Sequence, residues 1–293
     1  MKTKKILSLL LAGVLALSVS ACGQQEAVTN NQDNSSSTSV VEDGSSETTS
    51  SGVTAENTSE RPTEPTGQLV MGVLTPVEND FYDANFNNNA TNYSMYGLIH
   101  GGTTVTYTKE GQFEFDPTLV ANHEETENED GSKTYTVTIN DGLVWSDGTP
   151  ITAKDFVFQA LLENSSQITG VDGYPANGLT VVKGYSDYMS GATDCFAGIH
   201  LVDDMTYSVT IAAEELPNHY DIIYAGLMPR PMAVLAPGCD VEDTENGARI
   251  TGDFTTDLLV ETINNADTGY RYHPEVTFGP YLLKSYDTAS RQA

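Results

Sequence analysis

Forty-one carboxylates, five histidines and three cysteines are the side chains of this sequence best equipped to catalyse, hold a metal or form covalent bonds. Carboxylate pairs do acid–base work, and His/Cys clusters bind metals, only when their spacing brings them to one place. His100, His123, His200, His219 and His273 are scattered and lack metal-ligand spacing. No G-x-S-x-G elbow, H-E-x-x-H helix or Gly-rich phosphate loop with its Lys occurs. The Asp130-Gly131 turn does not make an EF-hand loop, because Thr126 stands at the first ligand position and Val137 at the last. No catalytic residue, metal site or cofactor is assigned, and the expected chemistry is non-covalent binding.

Binding residues need elements to position them, and the clearest elements lie between Tyr135 and Phe158. Tyr135, Val137 and Ile139 alternate with Thr134, Thr136 and Thr138, which predicts a half-buried strand with one apolar and one hydroxylated face. Asp130-Gly131 is a turn pair, so Glu124 to Glu129 is expected to form the antiparallel partner. Asp141-Gly142 and Asp147-Gly148 make two further turns around Leu143, Val144 and Trp145. Thr152 is a helix N-cap with Asp155 three residues on, and Phe156, Val157, Ala160 and Leu161 form the buried stripe that follows. Trp145, Phe156 and Phe158 are expected in the core.

This order of hairpin, WSDGTP and TAKDFVF resembles the signature region of the family 5 extracellular solute-binding proteins, the oligopeptide and dipeptide receptors of ABC importers. Two later stretches carry the same resemblance. KGYSDYMSGATDCFAGIHLVDDMTYSVTI is similar to the family's helix, turn, strand, turn, strand pattern, and TFGPYLLKSYD to its G-T-G-P-Y motif, with Phe278 in place of the middle Thr. The resemblance spans Gln68 to Tyr286. It implies a mixed α/β fold, periplasmic-binding-protein-like class II, with lobe I in 68–88 and 176–293 and an inserted lobe II in 89–175. Family members continue for about as long again, so the resemblance makes this chain an N-terminal fragment with lobe III missing.

The start of the chain carries its own chemistry. Lys2, Lys4 and Lys5 precede the apolar run Ile6 to Val19, which is too short to span a membrane comfortably and suits a signal peptide. The run closes on Val19-Ser20-Ala21-Cys22, which resembles a bacterial lipobox. Residues 1–21 are therefore read as a lipoprotein signal peptide and Cys22 as the lipid attachment, anchoring the chain extracytoplasmically to the bacterial cell membrane. From Gly23 to Gly67 there are eight acids, one base and no aromatic residue, so 22–67 is read as a disordered tether. As a flexible coil it has an end-to-end distance of roughly 35 to 40 Å. The net charge of −28 argues against nucleic acid or anionic lipid as a partner.

Gln68 to Leu74 is an apolar run suited to a buried strand, and a helix is expected around Asn92 to His100. The resemblance puts the loop after the first strand at the ligand cleft, which makes Thr75, Pro76, Phe81 and Tyr82 ligand-binding candidates by position. Tyr174-Pro175 joins them, because the family places a variable, ligand-touching loop between Asn164 and Leu179. Downstream, Tyr185, Tyr188 and Met189 recur at helical spacing before Gly191, and Asp203-Asp204 turns a second hairpin between Ile199 to Val202 and Tyr207 to Ile211. Apolar residues from Leu216 to Met228 recur at helical spacing and stop at Pro229 and Pro231. The TFGPYLLKSYD stretch is expected as a strand.

The function these readings imply is capture of peptides, or a related small solute such as a nickel chelate, for delivery to ABC permease subunits. An anchored adhesin or signalling module that keeps the fold without transport is the second hypothesis, and an extracellular hydrolase the third. Cys195 and Cys239 belong to an exported chain in which disulfides are permitted, and the sequence leaves both the paired and the free state open.

Overall fold

The central layer is a four-stranded antiparallel sheet in the order β3-β4-β6-β5, built from β3 (Val120–Glu127), β4 (Lys133–Ile139), β5 (Ile199–Asp203) and β6 (Thr206–Ile211). The computed structural model describes Gly67 and residues 70–176 and 178–293. The expected signal peptide, Cys22 and all of the expected tether except Gly67 lie outside the described residues. Residues 68–293 cluster as one unit.

The β3–β4 hairpin closes on Asp130-Gly131, with Glu125 opposite Tyr135 and His123 opposite Val137. Tyr135, Val137 and Ile139 are buried in β4 as their alternation predicts. The opposite face carries a ladder of hydroxyls, Thr134 to Thr210 at 2.9 Å and Thr138 to Thr206 at 3.2 Å, which satisfies polar groups on the two inner strands. All six residues of β6 are buried, since it lies between two partners. The expected division at residues 175 and 176 runs through this sheet, because β4 precedes it and β6 follows it and the two are hydrogen-bonded.

Helix α2 (Ala153–Glu163) packs on the sheet, its Phe156 ring stacked on Tyr207 with centroids 5.9 Å apart. Its start is capped as expected, with Asp155 Oδ2 accepting the Thr152 backbone N–H at 2.9 Å. Phe156, Val157, Ala160 and Leu161 are fully enclosed, and Trp145 and Phe158 join the same core. Helix α1 (Ala90–His100) begins at Asn89, whose side chain accepts from the Thr91 and Asn92 amides. Two small hairpins complete the strands, β1 (Val105–Tyr107) with β2 (Phe113–Phe115) and β7 (Asp240–Thr244) with β8 (Gly247–Thr251). Short helices α3 (Tyr185–Met189) and α4 (Met232–Leu235) lie between them in the chain, and α5 (Thr256–Leu259) follows β8. No described helix is long and apolar enough to cross a membrane.

Three expected elements are corrected. Val70 to Leu74 is not a strand and is exposed, because no strand of the described residues pairs with its backbone and intrinsic β propensity does not replace a partner. Leu216 to Met228 holds only a five-residue 3₁₀ turn, Asp221–Ala225. Pro217 removes an amide from the first turn, the Asn218 side chain accepts the Tyr220 amide, and Gly226 ends the run. TFGPYLLKSYD is irregular rather than a strand, with the Gly279 and Tyr281 amides donating to the Ile99 and Leu98 carbonyls at the end of α1 at 2.8 and 3.0 Å. A Cβ at Gly279 would collide with those same carbonyls, which explains the glycine in this motif.

Cys195 and Cys239 are both free thiols. Cys195 Sγ lies 3.6 Å from Thr244 Oγ1, at the far end of β7 from Cys239. Five residues of extended strand separate the two by about 16 Å, far beyond disulfide reach.

Candidate ligand-binding loops

Two loops carry the expected contact residues, and both depend on arginines supplied from elsewhere in the chain. The first precedes α1. Its Asp80 is gripped by Arg271, with Nε and Nη2 at 2.8 and 2.7 Å from Oδ2, and the Arg271 carbonyl accepts the Phe81 amide at 2.7 Å. Asn92 on α1 donates to the Glu78 and Asp80 carbonyls, holding the loop against the helix. Arg230 lies fully buried with its guanidinium 4.3 Å above the Tyr82 ring, Nη2 at 3.2 Å from Asp83 Oδ2 and Nε at 2.7 Å from Glu163 Oε1.

The second loop follows the 3₁₀ turn Ile168–Gly170 and contains Asp172, Tyr174 and Pro175. The Tyr174 hydroxyl donates to Asp83 Oδ2 at 2.7 Å and accepts from Asn85 Nδ2 at 2.9 Å. Tyr174, Tyr82 and Phe86 pack ring to ring, with centroids 4.8 to 6.2 Å apart. Burial pushes the Tyr82 and Tyr174 hydroxyls above the usual phenol range, and the nearby carboxylates push further the same way, so both stay protonated. Burial likewise raises the Asp80 carboxyl, against the pull of Arg271. At Arg230 burial works against the charge, yet Glu163, Tyr82 and Asp83 more than offset it and hold the guanidinium above its ordinary range.

Only part of the expected contact set reaches solvent. Thr75, Pro76 and Pro175 are exposed, and Thr75 Oγ1 sits 2.6 Å from Thr91 Oγ1. Phe81, Tyr82 and Tyr174 are enclosed, which corrects the expectation that their rings face a ligand directly. An apolar ring flanked by a buried cation gains more from packing than from a wet surface. Sequence reasoning passed over Arg230 and Arg271. The signal for them was local: Arg230 stands between two prolines in the apolar stretch Leu227 to Met232, and Arg271 between two tyrosines.

Among the described residues, two surface grooves stand out, and none of the six expected contact residues lines either. One of about 890 Å³ is bordered by Asp130, Lys183, Asp187, Asp194 and His200, and the other, about 430 Å³, by Asn79, Tyr272, His273, Lys284 and Tyr286.

Residues 116–292, more than half of the chain, match the family described as bacterial extracellular solute-binding proteins, family 5 Middle. The chain belongs to this family. Family 5 is a family of solute-binding proteins and not of enzymes. The solved structure of lactococcal OppA, complexed with an endogenous peptide in the closed conformation, matches this family 5 chain with a TM-score of 0.50 at 18% identity, covering 72% of this chain and 35% of that one. Haemophilus influenzae OppA in complex with RPPGFSPFR gives 0.43 at 21% identity, over 72% and 36%. Bacillus subtilis AppA in complex with a nonapeptide gives 0.46 at 13% identity, over 75% and 33%. This family 5 chain thus spans about a third of the length of those structures. No curated protein matches it.

Proposed function

We propose that the chain is the extracytoplasmic receptor of an ABC importer, capturing peptides or a related small solute and passing them to permease subunits. The family match over residues 116–292 carries this reading. Thr75, Pro76 and Pro175 form the exposed contact edge, and Phe81, Tyr82 and Tyr174 support it from beneath. Residues 68–88 and 176–293 act as lobe I and 89–175 as lobe II, the two sharing the β3-β4-β6-β5 sheet through the β4–β6 pairing. Affinity comes from closure around the solute, which shields hydrogen bonds directed at its backbone, with wet pockets for varied side chains. Cys22 carries the lipid that anchors the receptor to the cell membrane, and the segment 22–67 acts as its tether.

Native mass spectrometry of the mildly purified receptor is the test of the binding reading, and co-purifying peptide is the expected result. Recovery free of any peptide or small solute, with no uptake from a defined peptide mixture, overturns it. Anchoring is tested separately: Cys22→Ala is expected to move the protein out of the membrane fraction, and retention in the detergent phase would refute lipidation.

A further inference from the structure

We propose that loops 80–86 and 172–176 move as one unit, with Arg271 as the positioning residue that joins them. This deepens the proposed function by naming what fixes the loops on which it places the solute. The test reads the loops themselves, so its failure is distinguishable from failure to bind peptide.

The junction rests on three contacts, two of them made by the Arg271 guanidinium and one by Tyr174. One is the guanidinium of Arg271, which spends two nitrogens on Asp80 Oδ2, at 2.8 and 2.7 Å, and its third on Asp172 Oδ2 at 2.6 Å. A forked, planar cation spans two carboxylates on separate loops, which a lysine ammonium does not reproduce. Asp172 sits in the left-handed region at φ 52, a conformation costly for a residue with a Cβ, and its side chain is held on the arginine there.

A second contact is aromatic. The Arg271 guanidinium lies 4.3 Å over the Phe86 ring, and Tyr174 packs 4.8 Å from that same ring. Third is the Tyr174 hydroxyl on Asp83 at 2.7 Å, across 91 residues of sequence. Asp83 Oδ2 also takes Arg230, so the oxygen that receives Tyr174 is pinned from the core side. Each loop therefore lacks the freedom to shift without breaking charge-assisted bonds to the other. A solute that displaces Pro175 would displace Phe81 and Asp83 with it.

Amide hydrogen exchange on the full chain tests this. Tyr174→Phe removes one hydroxyl and leaves the ring and Arg271 in place. The expected result is exchange about tenfold faster at the Phe81 and Asn85 amides, in the opposite loop, from loss of one charge-assisted bond. The β4 amides keep their rates. Arg271→Lys is expected to speed the Phe81 and Tyr174 amides together. A response to Tyr174→Phe confined to residues 172–176, or unchanged rates at Phe81 and Asn85, overturns the proposal. Should Arg271→Lys fail to fold, Tyr174→Phe decides alone.

Discussion

Arg230 and Glu163 meet inside the protein with Nε 2.7 Å from Oε1, joining the segment before α4 to the last residue of α2 across 67 residues of sequence. The arginine also serves Asp83, so a single cation neutralises two shielded carboxylates. Replacing Arg230 by Met strands both anions, and breaking a buried pair costs about 3–5 kcal/mol. The expected outcome is a large drop in the urea midpoint with little change in slope. Adding Glu163→Gln to that variant restores part of the loss, and a double variant no better than the single one contradicts the pairing.

Asp155 couples the start of α2 to pH. Burial raises its carboxyl to about 6, against the hydrogen bonds from Thr152. A carboxyl whose folded value exceeds its unfolded value favours the folded state when protonated. Its contribution is therefore present below about pH 4 and is lost as pH rises toward 6, by up to about 3 kcal/mol. Asp155→Asn is expected to flatten stability over that window in denaturation experiments at stepped pH.

His100 acts in the opposite direction. Burial, with the charge of Arg230 adding to it, lowers its imidazole to about 3. A histidine kept neutral in the fold contributes stability above the unfolded value of 6.5, and this is lost as pH falls from there toward 3. Imidazole resonances followed by NMR from pH 8 to pH 5 should stay in the neutral form. A midpoint near 6.5 would show that the ring reaches water.

The two thiols of the described residues differ in burial, Cys195 being enclosed and Cys239 half-buried. Burial also raises the Cys239 thiol, so its reaction is slow at neutral pH. Alkylation of the native protein is expected to reach Cys239 first, and denaturation without reductant to expose both. Protection of the pair until a reductant is added would mean that a disulfide forms after all.

Local physics made much of this fold legible from sequence. Turn glycines at Gly131 and Gly148, alternation in Tyr135 to Ile139, and the cap formed by Thr152 and Asp155 each act within a few residues. The β3–β4 and β5–β6 hairpins, α2, and the core placement of Trp145, Phe156 and Phe158 follow from such signals. Tertiary structure decided what depends on distant partners. Val70 to Leu74 has strand propensity, but a strand exists only where another backbone accepts its hydrogen bonds. The same holds for the candidate binding loops: along the sequence Tyr82 and Tyr174 read either as exposed contacts or as enclosed rings. Arg230 reaching Asp83 across 147 residues and Arg271 reaching Asp80 across 191 are what turn them inward. A buried charge is tolerated only where the fold brings its counter-ions to it, and no periodicity along the chain encodes that meeting.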